Sequence, residues 1–326
     1  MKLSLKSSIR FRRAIGSVED KIKKRQHLEN YFGEFGLIYT PEHSDEVLEK
    51  TNIFLQHNPD LKQKYKELNW AYNSIWQIIP QTIENFWSGH TFPHIQSYDE
   101  FQISFNLLFF GFYKQSFVSL RSGLELGLLS VYYNINDLGH ETVKNWLKSQ
   151  NSWDSNTPKA EKIWKILNSN SNIKRFNEKY DLQKKFEALS FLHNYVHSKG
   201  WKYSNRLGLM KPNYQTFEES IVLKWLEVYK DIIILLITLH ILKYPISIIK
   251  YDWDKKVGID NPFPVLEAFE IEAIEALLPA GYSEELRNIA QNDILTQELL
   301  LYILSLPDMS EEEIALQISK LNNQMV

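Results

Sequence analysis

Apolar residues recur along most of the chain at spacings of three and four, which is the repeat of an α-helix with one buried face. Helix start signals accompany this repeat. Asn58 can cap a helix whose first turn holds Pro59, and Ser310 with Glu313 fits a capping box. We therefore predict an all-α, multi-helix bundle. Its helices are predicted near residues 17–33, 44–56, 60–88, 98–135, 139–150, 158–169, 177–198, 216–243, 265–278, 283–305 and 310–323.

The longest predicted helix, over residues 98–135, is expected to form the centre of the bundle. Its small residues share one face, where another helix can approach closely. These are Ser116, Ser119, Gly123, Gly127 and Ser130. On the opposite face, Arg121 and Glu125 are four residues apart between apolar neighbours, so they can form an ion pair. We predict that the helix is buried nearly all round, with this ion pair embedded in the core.

Changes in composition divide the chain into three parts. Residues 88–98 interrupt the early helices, and prolines and glycines are concentrated between 244 and 264. We predict an N-terminal helical region with a basic arm over residues 1–97, a helical bundle core over 98–259, and a small acidic C-terminal helical subdomain over 260–326.

The absence of cysteine narrows the chemistry that the chain can perform. It excludes disulfides, thiolate zinc sites and a cysteine nucleophile, and it is typical of a reducing compartment, so we expect a cytoplasmic protein. The two longest strongly apolar runs, at 101–113 and 232–242, are shorter than the roughly 18 residues that a membrane-spanning helix needs. We therefore expect no membrane partner.

The net charge of −3 is unevenly distributed. Residues 1–25 hold nine Lys and Arg against two acids, whereas residues 260–326 hold thirteen acids against two basic residues. A basic arm can bind a phosphate backbone, which makes RNA one expected partner. The acidic C-terminal helices are an equally available partner for the arm, and they also offer a surface for another protein.

A second segment of interest runs from Leu192 to Gly200, where the glycine is typical of a helix end. His193 and His197 are four residues apart, so both should point the same way, with His197 in the last turn. Two such histidines can hold a metal. However, Asn194 stands where the HExxH motif has its glutamate, so the signal is unspecific and we assign neither a metal nor any other cofactor.

These residues also suit chemistry that needs no metal. A neutral imidazole can take the proton from a ribose 2′-hydroxyl, and a guanidinium can stabilise the charge that builds on a phosphate. Arg121 aimed by Glu125 would be such a guanidinium. The alternative is structural: one histidine caps the helix end, the other is a hydrogen-bonded core residue, and the Arg121 to Glu125 pair fixes helix register.

Arg121 and Glu125, spaced as RxxxE, and the later LHNYVHSKG sequence at 192–200 resemble HEPN-type helical domains. The resemblance covers roughly residues 98–247. Such domains are α-helical bundles, frequently dimeric, and in bacteria many act as metal-independent ribonucleases of toxin–antitoxin and antiphage systems. The resemblance therefore implies an RNA substrate, a homodimer and a site formed where two subunits meet.

The chain departs from the family's defining pattern, an arginine followed after four to six residues by a histidine, which it lacks. The nearest equivalent places His193 at the arginine, Asn194 at the polar position and His197 at the catalytic histidine. We expect Arg121 to supply the missing cation, with Glu125 in support. The alternative function is a non-catalytic helical interaction protein, such as a sensor, an adaptor or an antitoxin-like partner.

Overall fold

The structure is a computed structural model, and it describes residues 41–79, 91–135, 143, 145–146, 148, 157–204, 215–258 and 263–324. These residues contain no strand, and the all-α prediction is confirmed. The predicted helix at 17–33 lies outside the described residues, as does most of the one at 139–150.

The described residues form fifteen α-helices and three short 3₁₀ helices, at Ile75–Ile78, Leu189–Phe191 and Pro245–Ile248. The α-helices in chain order are α1 (Pro41–His57), α2 (Pro59–Ser74), α3 (Thr91–Phe109), α4 (Tyr113–Ile135), α5 (Ala160–Leu167), α6 (Ser171–Tyr180), α7 (Leu182–Ala188), α8 (Leu192–Val196), α9 (Gly200–Ser204), α10 (Glu219–Lys243), α11 (Trp253–Val257), α12 (Ala268–Leu277), α13 (Tyr282–Asn292), α14 (Ile294–Ser305) and α15 (Glu311–Gln324).

The prediction of one long helix over 98–135 is wrong, because the chain turns between α3 and α4. Gly111 has φ 77°, a left-handed conformation that ends a helix and suits glycine. The N–H of Phe112 donates to the carbonyl of Leu107 at 2.8 Å and so closes the turn. The apolar repeat runs through this turn without interruption, which is why periodicity alone joined the two helices.

The small-residue face of α4 is where α3 packs against it, as the sequence predicted. The hydroxyl of Ser104 donates to the carbonyl of Ser116 at 2.7 Å, and that of Ser97 donates to the carbonyl of Gly123 at 2.6 Å. The earlier residue of α3 therefore contacts the later residue of α4, so the two helices form an antiparallel hairpin. The ring of Phe101 occupies the space that a side chain at position 123 would need.

Helix α10 contributes more buried residues than any other helix in the described part of the chain. It packs against α4 and α2, and its buried residues lie on all sides of the helix. Its Leu236 side chain occupies the space beside Gly127 of α4. Trp225 stacks on Tyr229 with ring centroids 5.1 Å apart, and its indole N–H donates to Ser104 of α3 at 2.9 Å. The centre of the bundle is therefore α10 with the α3/α4 hairpin.

The C-terminal helices are joined to this core rather than separated from it. Ile271 of α12 and Leu286 of α13 belong to the main buried cluster, whereas Ile303 of α14 packs with Trp253 in a second, smaller one. Of the predicted divisions, the one after residue 97 falls inside α3, and the one after 259 lies outside the described residues. Among the described helices, none is long and apolar enough to cross a bilayer.

Local signals placed several helix ends correctly. The predicted start at Asn58 and Pro59 is confirmed, and so is the capping box, in which the N–H of Glu313 donates to Ser310 and the N–H of Ser310 donates to the Glu313 carboxylate. The predicted helix over 283–305 is instead two helices. Asp293 separates them, because its side chain accepts from the N–H of Thr296 and caps α14.

Two buried histidines meet between α3 and α10. The rings of His94 and His240 are 5.4 Å apart, and Nδ1 of His240 donates to the carbonyl of Leu236 at 2.8 Å. Burial lowers the pKa of His240 to about 4, and burial followed by the charge of His240 lowers the pKa of His94. Both imidazoles are therefore neutral in the folded protein at pH 7.

We expect Gly123→Ala to destabilise the protein, although glycine to alanine within a helix ordinarily stabilises by about 0.5–1 kcal/mol. The new Cβ would lie 2.6 Å from Cδ1 of Phe101, and such overpacking typically costs about 1–3 kcal/mol. Urea denaturation measures the difference. Ser122→Ala on the same helix is the control and should change the unfolding free energy by less than about 0.5 kcal/mol. A stabilised Gly123→Ala variant would contradict the packing.

We expect stability to fall as the pH drops from about 6.5 to about 4. The unfolded chain binds protons on these histidines near pH 6.5, whereas folded His240 binds one only near pH 4. Above pH 6.5 the neutral histidines make their full contribution to the free energy of unfolding. As the pH falls to about 4, His240 alone lowers this free energy by roughly 3 kcal/mol. Denaturation at pH 7.5, 6 and 5 measures this slope. His240→Gln should flatten it, and an unchanged slope would rule out this cause.

Candidate functional site

Four of the five predicted site residues line one open cleft of about 860 Å³. Arg121 and Glu125 come from α4, and His193 and Asn194 come from α8. The fifth, His197, is not part of the lining, but its ring centroid is 4.0 Å from that of His193. The structure therefore brings together residues that are about 70 positions apart in the sequence.

Helix α8 is held against α4 by its buried side, which leaves the histidines on the other. Tyr195 is fully buried and stacks on Phe117 of α4, with ring centroids 4.7 Å apart and an interplanar angle of 10°. Leu192 is also buried. His193 and Asn194 are consequently only partly buried, and His197 is exposed.

The predicted single helix over 177–198 is broken into shorter pieces. Asp181 has φ 55° between α6 and α7, and the 3₁₀ turn Leu189–Phe191 precedes α8. His197 caps the end of α8, so its predicted position at a helix end is confirmed. The two histidines also point the same way, as predicted. His193 lies in α8 and His197 is its last, capping residue, so the helical spacing of four is kept and the rings are in contact.

The ion pair between Arg121 and Glu125 forms as predicted, but it is not embedded in the core. The Arg121 side chain is 21% exposed and that of Glu125 is 50% exposed. The rest of α4 is buried nearly all round, and the pair lies on the strip that faces the cleft. An i,i+4 pair this accessible stabilises a helix by only about 0.3–0.5 kcal/mol. The fold therefore has little need of Arg121, which remains free to contact a ligand.

The environment of His193 keeps its imidazole neutral. Partial burial lowers its pKa, and the positive charges of Arg121, His197 and Lys199 lower it further, against the opposing effect of Glu125. At neutral pH this side chain can therefore accept a proton beside a fixed guanidinium. That is the arrangement that general-base chemistry next to an anion requires.

Two further lysines lie near the predicted site residues. Lys159, which precedes α5, lines the cleft directly. Lys114 reaches the segment after α8 and donates to the hydroxyl of Ser198 at 2.7 Å. With Arg121 these groups can hold a phosphodiester or another anion.

Several of the lining residues were not predicted. Lys159 precedes α5, Ala160 and Ile163 belong to α5, and Phe186 belongs to α7. No motif marks them, because they reach the cleft only through the way that α5 and α7 pack. Their helical periodicity indicates a buried face and leaves the partner of that face unspecified.

No metal centre adjoins the two histidines in the described part of the chain, where no three His, Asp or Glu side chains come together in a way that could hold an ion.

The chain matches no family of known proteins, no curated protein and no solved structure.

The titration of His193 provides a direct test of this geometry. Arg121→Gln should raise the pKa of His193, because it removes a neighbouring positive charge, whereas Glu125→Gln should lower it. Proton NMR of the imidazole as a function of pH measures both changes. His57, which is exposed at the end of α1, serves as an internal reference in the same spectra. If neither variant moved the His193 resonance, the two helices would not face each other as described.

Proposed function

We propose that the chain is a HEPN-like, metal-independent ribonuclease of a bacterial toxin or antiphage defence system. One observation carries this proposal: Arg121 and a neutral His193 line the same open cleft, with His197 in ring contact behind. The resemblance of the RxxxE and LHNYVHSKG segments to HEPN domains supports the same reading.

In this mechanism RNA supplies its own nucleophile. His193 accepts the proton of a ribose 2′-hydroxyl as the 2′-oxygen attacks the adjacent phosphorus. The bond to the 5′-oxygen breaks, and His197 donates a proton to that oxygen. The products are a 2′,3′-cyclic phosphate and a free 5′-hydroxyl. Arg121 holds the phosphate oxygens as charge builds on them, while Glu125 and Asn194 position the cation and the base.

The proposal includes the partners that the resemblance implies. RNA is the substrate, and two copies of the chain act together as a homodimer in the cytoplasm. His197 and its neighbour Val196, which is 44% exposed, directly follow the cleft residues His193 and Asn194, and a second subunit that packs there could complete the site.

A second candidate is a non-catalytic interaction protein. Its support is α14, a helix that leaves several large apolar side chains open to solvent. These are Ile294, Leu295, Leu301 and Tyr302, each more than half exposed. The C-terminal region that carries them is acidic, so the fitting partner is a basic amphipathic segment of another protein. In that case the ion pair between Arg121 and Glu125 has only a structural role.

Incubation with RNA in excess chelator separates these candidates. We expect wild-type protein to cleave cellular RNA without metal, and His193→Ala, His197→Ala and Arg121→Gln each to reduce the rate by about a hundredfold or more. His57→Ala is the matched control, because this histidine lies on α1 outside the cleft. Circular dichroism establishes that every variant is folded.

The nucleophile is tested with a defined oligonucleotide. A single 2′-deoxy substitution on the 5′ side of the cleaved bond should abolish cleavage there and leave other sites unaffected. Absence of cleavage by the wild type, or equal cleavage by all three site variants, would overturn the ribonuclease proposal.

A further inference from the structure

A second cavity, of about 460 Å³, lies on the other side of the segment that carries His193. Ala188 and Phe191 line both this cavity and the first cleft, so the two are separated by one thickness of chain. The remaining walls come from α7, α10 and the turn before α13. None of the predicted site residues belongs to it.

Lys224 of α10 is fixed at this cavity by aromatic rings. Its ammonium nitrogen lies 5.0 Å from the ring centroid of Phe191, 5.6 Å from that of Phe117 and 6.0 Å from that of Tyr195. Ring faces attract a cation and also remove water from around it. The rings themselves are anchored, since Phe117 and Tyr195 are fully buried. The ammonium is therefore held in one place without being neutralised.

Within the described chain, no carboxylate oxygen comes within 4.0 Å of the Lys224 ammonium, and its one hydrogen-bond contact is the hydroxyl of Tyr195 at 3.5 Å. Burial lowers the pKa of Lys224, and the charge of Lys202 lowers it further. A half-buried cation without a counter-charge is unfavourable in the empty protein. An anion in the cavity would relieve that penalty.

A second lysine faces the same space from α7. Lys185 lies 4.6 Å from the ring centroid of Tyr282 and donates to its hydroxyl. Tyr282 is buried, so this lysine too is positioned by an aromatic side chain. The cavity thus has two lysines on rings at its walls, with apolar surface between them from Leu189, Val228 and Leu235.

The charge of the rim limits the kind of anion. Three lysines line the cavity, and Glu227 and Asp231 oppose them. Asp231 is within 4.0 Å of Lys230 and also interacts with the charge of Lys185, and Glu227 is the second carboxylate against the three lysines. The site therefore has a surplus of one positive charge. A polyanion such as an RNA backbone would meet two carboxylates there, whereas a single negative charge is balanced.

We propose that this cavity binds a small organic carboxylate with an apolar ring. The carboxylate lies between Lys224 and Lys185, and the ring packs on Phe191 and the aliphatic wall. A pocket of a few hundred cubic ångströms with apolar walls and few polar groups is typical of such ligands. The proposal is independent of ribonuclease activity in the neighbouring cleft.

The test compares two ligands of the same shape that differ in charge, 2-naphthoate and 2-naphthamide, by saturation-transfer NMR and calorimetric titration of the full chain. We expect naphthoate to bind wild-type protein at least tenfold more tightly than naphthamide. Lys224→Met keeps the length of the side chain and removes its charge. It should abolish this preference and leave the binding of naphthamide unchanged.

Lys174→Met is the matched control, because Lys174 is an exposed lysine on α6 outside the cavity. It should retain the tenfold preference. Adenosine 5′-monophosphate, a dianion with an aromatic base, should bind more weakly than naphthoate. The proposal is overturned if both naphthalenes bind equally, if Lys224→Met keeps the preference, or if the nucleotide binds more tightly.

Discussion

The close approach of three helices is the constraint on which the rest of this structure depends. Gly123 leaves room for the ring of Phe101 on α3, and Gly127 leaves room for Leu236 on α10. The small-residue face of α4 is therefore held against both helices by side chains that a Cβ would displace. This packing fixes the rotation of α4 about its axis. Its remaining strip, which carries Arg121, must then face α8 and the cleft.

The candidate site uses the part of α4 that the fold does not need. A fully buried Arg121 would have to be neutralised by its partner, and any contact with a ligand would then compete with stability. Because the ion pair with Glu125 is accessible, the guanidinium can bind an anion with little loss of folding stability. Partial burial and then the charge of Arg121 lower the pKa of His193, so the position and the protonation behaviour of this imidazole follow from one arrangement of helices.

Sequence reasoning succeeded where the cause is local. Pro59 suits the first turn of the helix that follows Asn58, and Ser310 with Glu313 caps another helix through hydrogen bonds three residues apart. The spacing of His193 and His197 determines their convergence. It failed at Gly111, where one residue's backbone conformation reverses a chain whose apolar repeat continues. The cleft residues from α5 were also missed. Periodicity reports that a face is buried, while the identity of its neighbour depends on long-range packing.

The two cavities share a wall, and this has a physical consequence for both. Phe191 presents one part of its surface to the first cleft and another to the second cavity, two residues before His193. The short helix α8 follows this shared wall and is held on the bundle by buried Leu192 and by the stacking of Tyr195 on Phe117. The rings of Phe117 and Tyr195 also lie beside the Lys224 ammonium. The position of the Lys224 ammonium and the position of His193 therefore depend on the same close-packed aromatic side chains.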